Sequence, residues 1–371
     1  MKNLSLIKSI QEKTIMEQKM PMSWKEWVQM NDVYILAIET SCDETSMAIV
    51  KNGREIDSLT ILTQMDTHAN FGGVVPEIAS RMHTENITMV LEETLKKSSI
   101  SIKDIAAIAV TYAPGLLGSL LVGIECAKTL SLVYNKPLIA VNHTMGHIYA
   151  NNIEHEIVYP TLALIVSGGH TDMLILKNET DMEVLGNTMD DSIGEVYDKV
   201  ARVLGMPYPG GPAIEKNAIE GKDTYPLPKP MNDNSYNFSF SGLKSYIINL
   251  VHNERQRGNE IRISDLACSF QKTAVDELTR KVDLALKNTG IKNMILAGGV
   301  SANKYLREEM KKTCENNGAT FHVPNILYCT DNAAMIGCAA YPLYKSKIFA
   351  DYTLNAKSSE NIKTYIENKE N

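Results

Sequence analysis

The stretch VYILAIETSCDETSMAIV, residues 33–50, contains the pattern that decides the fold class. It begins with an apolar run at 33–38, continues through a polar turn at 39–46 and ends in a second apolar run. Two short apolar runs on either side of a polar turn indicate a β-hairpin. The turn is rich in hydroxyl and carboxylate side chains, so we expect a ligand or a reaction at this end of the hairpin.

The same arrangement recurs further along the chain. An apolar run at 161–166 leads into the turn SGGHTD at 167–172 and a second apolar run, and another strand at 294–297 leads into GGVSAN at 298–303. A repeated strand–turn–strand predicts a duplicated α/β unit whose turns face each other, where backbone N–H groups can bind phosphate. We therefore expect an α/β, duplicated actin-like ATPase (ASKHA) fold with two lobes and a ligand cleft between them.

This reading sets the expected domain boundaries. The expected parts are an N-terminal extension at 1–33, lobe I at 34–142 with the helix after Asp331 returning to it, lobe II at 143–330, and a partly disordered tail at 346–371. The extension has no apolar signal-peptide core and no arginine, which argues against a targeting sequence. We expect it to be loosely ordered, with Met30 as an alternative start, and a chain begun at Met30 to fold and act normally.

The composition narrows the class of protein. With 371 residues, 44% of them apolar and 22% charged, the chain is long enough for two globular domains. Six cysteines without a CxxC pair disfavour zinc knuckles and a disulfide scaffold, and fit the reducing cytosol. We find no uncharged apolar run of the length that spans a membrane. A net charge of −7 means that a nucleic-acid substrate would need a local basic patch or a partner protein.

His143 and His147 are candidate metal ligands. Four residues apart on a helix, they lie on one face, which is the spacing that two imidazoles need to bind one metal. The alternative is that they are ordinary hydrogen-bonded or surface histidines. A zinc peptidase would need a glutamate directly after the first histidine as its general base, and Thr144 stands there instead.

Asp331 is the candidate third ligand, in the sequence CTDNAA at 329–334. A helix begins close to Ala333, so the alternative is that Thr330, Asp331 or Asn332 serves as its N-cap. The residue pattern alone favours the cap.

An acidic run at 190–198 enters another helix. Acidic residues at the start of a helix commonly form a solvated first turn, where the helix dipole favours their negative charge. Asp198 is embedded among apolar neighbours, so recognition of ligand hydroxyls explains it better. The following turn, PYPGGP at 207–212, is rigid, and its glycines allow close approach of a flat ligand.

Taken together, a series of stretches resembles one family, the tRNA adenosine threonylcarbamoyltransferases. The resemblance is to their bacterial and mitochondrial branch, long misnamed O-sialoglycoprotein endopeptidases, and it runs from about Tyr34 to Tyr344. The stretches are ETSCDET (39–45), FGGVVPEIASRMH (71–83), APGLLGSLLVG (113–123), NHTMGH (142–147), VSGGHTD (166–172), DDSIGEVYDKVARVLGMPYPGGP (190–212), FSFSGLKS (238–245), GGVSANKYLR (298–307) and CTDNAAMIG (329–337).

The resemblance implies a function. The chain would transfer the threonylcarbamoyl group of threonylcarbamoyl-AMP to the N6 amine of adenosine 37, in tRNAs that read codons beginning with A, and release AMP. It would act in the cytoplasm. It would hold one divalent metal, iron or alternatively zinc, on His143, His147 and Asp331. The adenylate would contact Val166, Ser167, Gly168, Gly169, His170, Asp198, Gly211 and Asn303, with Glu215 as an additional ribose or base contact.

The donor is a mixed anhydride with a good leaving group, so positioning and charge neutralisation suffice and no nucleophile is required. Asp43 and Glu44 could position the donor or accept the proton of the attacking amine. Their alternative role is to stabilise the turn.

Bacterial relatives work with an inactive paralogue (a TsaB-like subunit) and a small P-loop ATPase (a TsaE-like subunit), which would help to build a tRNA surface. Ala113 stands where the family more often has glycine. Two other classes stay open. A small-molecule kinase or actin-like ATPase would use the cleft but not the histidines, and a metalloendopeptidase would use the histidines but lacks the base.

Overall fold

The structure is a computed structural model that describes Trp24, Val28, residues 31–231 and residues 233–370. Within these residues the chain forms two five-stranded sheets. The first contains β1 (Tyr34–Glu39), β2 (Glu44–Lys51), β3 (Glu55–Thr63), β4 (Ala107–Ala113) and β5 (Leu138–Asn142). The second contains β6 (Thr161–Val166), β7 (Thr171–Leu176), β8 (Met182–Asn187), β9 (Asn293–Ala297) and β10 (Thr320–His322).

The two sheets have the same topology. The first has the order β3-β2-β1-β4-β5, in which β1 is antiparallel to β2 and parallel to β4. The second has the order β8-β7-β6-β9-β10, in which β6 is antiparallel to β7 and parallel to β9. The predicted duplication of an α/β unit is therefore confirmed, with the two polar turns at equivalent positions after β1 and β6.

The helices connect and cover these sheets. They are α1 (Met65–Ala69), α2 (Pro76–Lys97), α3 (Leu117–Tyr134), α4 (His143–Tyr149), α5 (Ile193–Val203), α6 (Gly210–Ile219), α7 (Ser241–Gln256), α8 (Ile263–Thr289), α9 (Lys304–Asn316), α10 (Ile326–Cys329), α11 (Ala333–Lys345) and α12 (Ile362–Glu370). Short 3₁₀ turns lie at Ile102–Asp104, Ala150–Asn152 and Gly299–Ala302.

Two helices, α4 and α11, form the layer between the sheets. Their buried side chains belong to one apolar cluster with the inner faces of both sheets, for example Ile35 of β1 and Ile165 of β6. A side chain in place of Gly337 would lie 2.5 Å from Val50, so α11 needs glycine to approach β2 this closely. This middle layer holds the two lobes together.

The outer faces of the sheets are covered separately. The first sheet packs against α2 and α3 through Ile38, Val90 and Ile124, and the second against α5 to α9 through residues such as Leu164 and Phe270. In the part of the chain described, α3 alone is long and apolar enough by composition to cross a membrane. Core helices pass the same test, and α3 packs on the sheet.

Trp24, Val28 and residues 31–33 are the described residues of the N-terminal extension, and the expectation of loose order for its other residues lies outside the described ones. Val28 is 2% exposed and belongs to the cluster around α11. The indole N–H of Trp24 donates to the carbonyl of Tyr344 at 3.3 Å, and its ring packs on the Tyr344 ring. These contacts fix two points of the extension on lobe I.

We expect a chain begun at Met30 to fold but to be less stable than the full chain. Burying a valine side chain contributes about 1.5–3 kcal/mol, and the truncation also removes the packing of Trp24. Denaturant unfolding of the two chains measures the difference. Equal free energies of unfolding for the two chains would show that these contacts contribute nothing to stability. The extension would then be dispensable, as the sequence predicts.

The tail after α11 is described up to residue 370. The amide of Ala350 donates to the carbonyl of Leu138, which covers part of the open edge of β5. Further along, Ile362 and Tyr365 on α12 are buried. The buried carboxylate of Glu360 accepts hydrogen bonds from the hydroxyl of Tyr112 and from Asn142.

Candidate metal centre and ligand cleft

Three side chains at the inner end of the cleft form a group that could hold a metal ion. The ligand atoms of His143, His147 and Asp331 all lie within 4.8 Å of one another. Asp331 Oδ1 is 3.4 Å from Nε2 of His143 and 3.3 Å from Nε2 of His147. Two imidazoles and a carboxylate in this arrangement fit a divalent transition metal and leave positions for further ligands.

Capping residues place these three side chains. Asn142 caps α4 by accepting from the amides of Thr144 and Met145, so both histidines lie on the first two turns of the helix. Asn332 caps α11 by accepting from the amide of Met335 at 3.1 Å. Of the three residues that the pattern offers as caps, Thr330, Asp331 and Asn332, the structure has Asn332 in this role. The carboxylate of Asp331 faces the two histidines instead.

The charges of this group call for a cation. Burial alone would lower the pKa of His143, but the negative charges of Asp331 and Glu39 raise it to about 9. Burial would raise the pKa of Asp331, and His143 and His147 lower it instead. The carboxylates thus draw a positive charge to the histidines, as a bound metal ion would supply.

His143 is contacted by two further residues, Glu39 and Ser41, for which the sequence predicted no role. Glu39 Oε2 lies 3.3 Å from Nδ1 of His143, and the hydroxyl of Ser41 lies 3.1 Å from the same nitrogen. Glu39 is the last residue of β1, and Ser41 lies in the turn that follows. In the sequence, the signal for Glu39 was an acidic residue directly at the end of a buried strand.

The glycine-rich turn after β6 lies beside the metal group. Its ends are joined by the amide of Ser167, which donates to the carbonyl of His170 at 2.9 Å. Burial, together with the neighbouring His143 and His147, lowers the pKa of His170 to about 4. Gly168 and Gly169 are exposed, with open space where a side chain would stand.

The start of α5 closes against this turn. Ser192, the N-cap of α5, donates its hydroxyl to the carbonyl of Gly168 at 2.5 Å. A side chain in place of Gly194 would lie 2.4 Å from the carbonyl oxygen of Ser167. This close approach fixes the backbone from Val166 to Ser167, the end of the buried strand β6, and leaves the glycines free for a ligand.

Asp198 lies on α5 with one oxygen engaged. Its Oδ1 accepts the amide of Gly210 at 2.7 Å, which ties the PYPGGP turn to the helix. Burial raises the pKa of this carboxyl. The neighbouring Gly211 has open space beside its α-carbon. Asp198 therefore has a structural contact, and its second oxygen has no hydrogen bond in the described residues.

Asn303 and Glu215 also have structural partners. Asn303 caps α9 by accepting from Leu306 and donates to Gln271 at 2.8 Å. Glu215 Oε1 accepts the amide of Lys304, directly after Asn303, at 2.6 Å. These contacts join α6 to the start of α9, so a ligand contact by either residue would be additional.

Asp43 and Glu44 lie on the lobe I side of the cleft. Asp43 is 9% exposed, and Glu44 Oε1 accepts the hydroxyl of Thr63 at 3.2 Å. Burial raises the pKa of Glu44 to about 10, with further contributions from the charges of Asp331 and Asp43. Glu44 therefore shares the electrostatic environment of the metal group.

Tyr208, in the PYPGGP turn, was not singled out by the sequence analysis. Burial raises the pKa of the Tyr208 hydroxyl, and the charges of Asp43 and Asp198 raise it further. Tyr208 is therefore close to an acidic residue of each lobe. Together these features place metal ligands, acids and glycine turns around one cleft.

The fold and the site define a class: a two-lobed protein of actin-like ATPase architecture with a metal-ligand group in its cleft. Solved structures agree on the fold. HypF of T. kodakarensis has a TM-score of 0.59 at 15% identity, covering 87% of this chain and 49% of its own. Component A of the Acidaminococcus fermentans (R)-2-hydroxyglutaryl-CoA dehydratase has a TM-score of 0.50 at 13% identity, covering 85% of this chain and 99% of its own.

Sequence comparison gives the family. The family model described as tRNA N6-adenosine threonylcarbamoyltransferase matches residues 55–338. Proteins of that name from Staphylococcus epidermidis and Staphylococcus aureus strain Newman are 50% and 51% identical, each covering 90% of this chain and 99% or 98% of their own length. The chain belongs to this family of tRNA-modifying transferases, as the resemblance implied.

Proposed function

We propose that the chain transfers the threonylcarbamoyl group of threonylcarbamoyl-AMP to the N6 amine of adenosine 37, in tRNAs that read codons beginning with A. The amine attacks the carbamoyl carbonyl, the bond between that carbon and the phosphate oxygen breaks, and AMP leaves. The observation that carries the proposal is the position of the metal-ligand group beside the open glycine turn of a family member. Such an arrangement would suit an acyl phosphate bound next to a cation.

The residues divide into two groups around the donor. The turn from Val166 to His170 offers backbone amides and open space for the phosphate, and Asp198, Gly211 and Asn303 line the side where the nucleoside would lie, with Glu215 beside them. His143, His147 and Asp331 would hold one divalent ion, iron first and zinc second. When bound, that ion would neutralise charge that develops on the carbonyl and phosphate oxygens.

The attacking amine must lose a proton, and the two acids of lobe I differ in their ability to take it. Glu44, with its pKa raised to about 10, keeps its proton at neutral pH and would donate a hydrogen bond. Asp43, on the same turn, is then the better candidate for the base. A cation bound at Asp331 would lower the pKa of Glu44 and let it share this role.

The direct test is a reconstituted reaction. The chain is incubated with threonine, bicarbonate, ATP, an adenylate-forming enzyme and unmodified tRNA, and the digested tRNA is analysed for threonylcarbamoyl-adenosine. We expect the modified nucleoside only in the complete mixture. ATP consumption or peptide cleavage without any modified nucleoside, also in the presence of the partner proteins, would contradict the proposal. The proposal places the chain in the cytoplasm, where both substrates occur.

We further propose that an inactive paralogue (TsaB-like) covers lobe I, and that a P-loop ATPase (TsaE-like) acts with the pair. Large apolar side chains are exposed on α2 and α3, and a lone protein seldom leaves such a group in water. They are Met89 at 46%, Leu117 at 50%, Leu121 at 39%, Leu132 at 68% and Val133 at 67% exposure. With a net charge of −7, the chain would also benefit from partner surfaces that contact tRNA.

Leu132→Lys should weaken binding of the paralogue at least about tenfold, because a lysine charge would be buried in an apolar contact. Its melting temperature should not change, because the site is exposed. Ile219→Lys on α6 of lobe II, where the side chain is 78% exposed, is the matched control and should bind normally. Equal binding by both variants in a calorimetric titration would place the interface elsewhere.

A further inference from the structure

Glu39 is a buried carboxylate for which the proposed reaction has no use. It is the last residue of β1, and its side chain is fully buried. One oxygen, Oε1, accepts the amide of Ser41 at 2.6 Å. The other, Oε2, accepts the hydroxyl of Thr111 on β4 and lies 3.3 Å from Nδ1 of His143. Two donors from the protein thus hold the carboxylate in one orientation against the imidazole.

A buried carboxylate is costly unless it is paired, so this position needs a reason. No lysine or arginine pairs with this carboxylate among the described residues. The described contacts of Glu39 are the amide of Ser41, the hydroxyl of Thr111 and the imidazole of His143. The partner that gives this carboxylate a use is therefore the ring of His143.

The two nitrogens of an imidazole have different roles when one binds a metal. The nitrogen that carries the proton donates a hydrogen bond, and the other keeps the lone pair that binds. Here Nδ1 of His143 faces Glu39, and Nε2 of His143 faces Asp331. A proton on Nδ1 satisfies the carboxylate and leaves the Nε2 lone pair directed at the metal-ligand group.

We propose that Glu39 is a positioning residue: it accepts the Nδ1–H of His143 and so fixes the tautomer and ring orientation that bind the metal. The proposal rests on the proposed metal site but assigns a residue outside it. Glu39 does not contact the substrate or the reacting atoms.

Ser41 offers the same nitrogen a weaker partner. Its hydroxyl lies 3.1 Å from Nδ1 of His143, slightly closer than the carboxylate. A hydrogen bond to an ionised acceptor is about twice as strong as one between neutral groups. Glu39 therefore determines which nitrogen holds the proton, and Ser41 adds to the orientation.

The other histidine lacks such support. Nδ1 of His147 is buried and has no hydrogen-bond partner in the described part of the chain. The protein thus orients His143 through a carboxylate at Nδ1 and gives His147 no partner at the equivalent nitrogen in the described residues. We therefore expect the loss of Glu39 to weaken metal binding more than the loss of a buried carboxylate elsewhere in the protein.

The test compares metal affinities of the metal-free full chain and of Glu39→Gln. Glutamine keeps the size of the side chain and one acceptor oxygen, but its amide N–H groups favour the wrong tautomer of His143. Competition for Co²⁺ and Zn²⁺ with a chromophoric chelator should show an affinity about ten- to a hundredfold lower. The Co²⁺ absorption spectrum should also change, because a displaced imidazole alters the ligand field. Thermal unfolding of the metal-free variant verifies that it folds.

Glu277→Gln is the matched control. Glu277 is also a buried carboxylate, but it lies on α8 of lobe II, where it accepts from Arg280, and none of the metal-ligand group contacts it in the described residues. We expect wild-type metal affinity from this variant. If Glu39→Gln does not fold, Thr111→Val removes one donor to the carboxylate without touching Glu39 or His143, and it should weaken metal binding to a smaller extent.

The outcomes separate the two proposals. Wild-type chain that binds neither metal would overturn the metal site, and the role of Glu39 with it. Wild-type chain that binds metal, with folded Glu39→Gln binding equally well, would overturn the role of Glu39 alone. An equal loss in Glu277→Gln would show that any buried carboxylate has the same effect, which also contradicts the proposal.

Discussion

Replacing His143 and His147 together by alanine should remove the metal and abolish transfer while the protein stays folded. The variant loses two of the three side chains whose ligand atoms lie within 4.8 Å of one another. One carboxylate is too weak a site to hold a transition metal at the concentrations of an assay. We therefore expect less than stoichiometric metal by elemental analysis after dialysis, and no modified nucleoside above background.

The fold should survive because the histidines contribute little to the apolar core. His252→Ala, on the exposed side of α7, is the control and should retain metal and activity. Because the change also relieves Asp331 and Glu39 of their partners, the melting temperature can fall by several degrees. Stoichiometric metal in the folded double variant would refute the assignment of all three ligands.

Asp198→Ala should weaken binding of the adenylate about ten- to a hundredfold. A hydrogen bond to a charged group contributes on the order of 1.5–3 kcal/mol, which corresponds to this factor in affinity. The affinity for tRNA and its salt dependence should stay unchanged, since tRNA binding depends on phosphate contacts elsewhere. Calorimetric titration with a non-hydrolysable adenylate analogue measures the donor affinity.

The contact of Asp198 with Gly210 makes a second variant necessary. Since Oδ1 accepts the amide of Gly210 at 2.7 Å, alanine would also release the PYPGGP turn. Asp198→Asn keeps an acceptor for that amide and removes the charge. If Asp198 reads ligand hydroxyls, both variants should lose donor affinity. If it only holds the turn, asparagine should behave as wild type and alanine should mainly lose stability.

The alternation of apolar runs and polar turns was sufficient to predict the duplicated fold. Burial of β1 and β6 is determined by local composition, and each turn follows directly from its strand. The spacing of His143 and His147 likewise predicted a shared helix face, because helical geometry is local. The ligand role of Asp331 came from the family resemblance, since nothing near it in sequence indicates the histidines.

Contacts between distant segments could not be predicted. Which of three consecutive polar residues caps α11 depends on the backbone that leads into the helix. The structure has Asn332 in this role, with its side chain accepting from the Met335 amide. The contact of Glu39 with His143 depends on the strand order of the first sheet, in which β4 alone separates β1 from β5, the strand that precedes α4. The engagement of Glu215 by the amide of Lys304 depends on the packing of two helices that are far apart in the sequence.

The position of α11 between the sheets also has a consequence for how the protein is made. The inner face of the first sheet, with Ile35 and Val50, is covered by residues 333–344, which are translated after every strand of both sheets. During synthesis, the first half of the chain would expose this face while the strands and helices of the second half emerge. The first sheet is thus completed by a helix that is translated after the second sheet, and Asp331 joins the two histidines only once both sheets have been made.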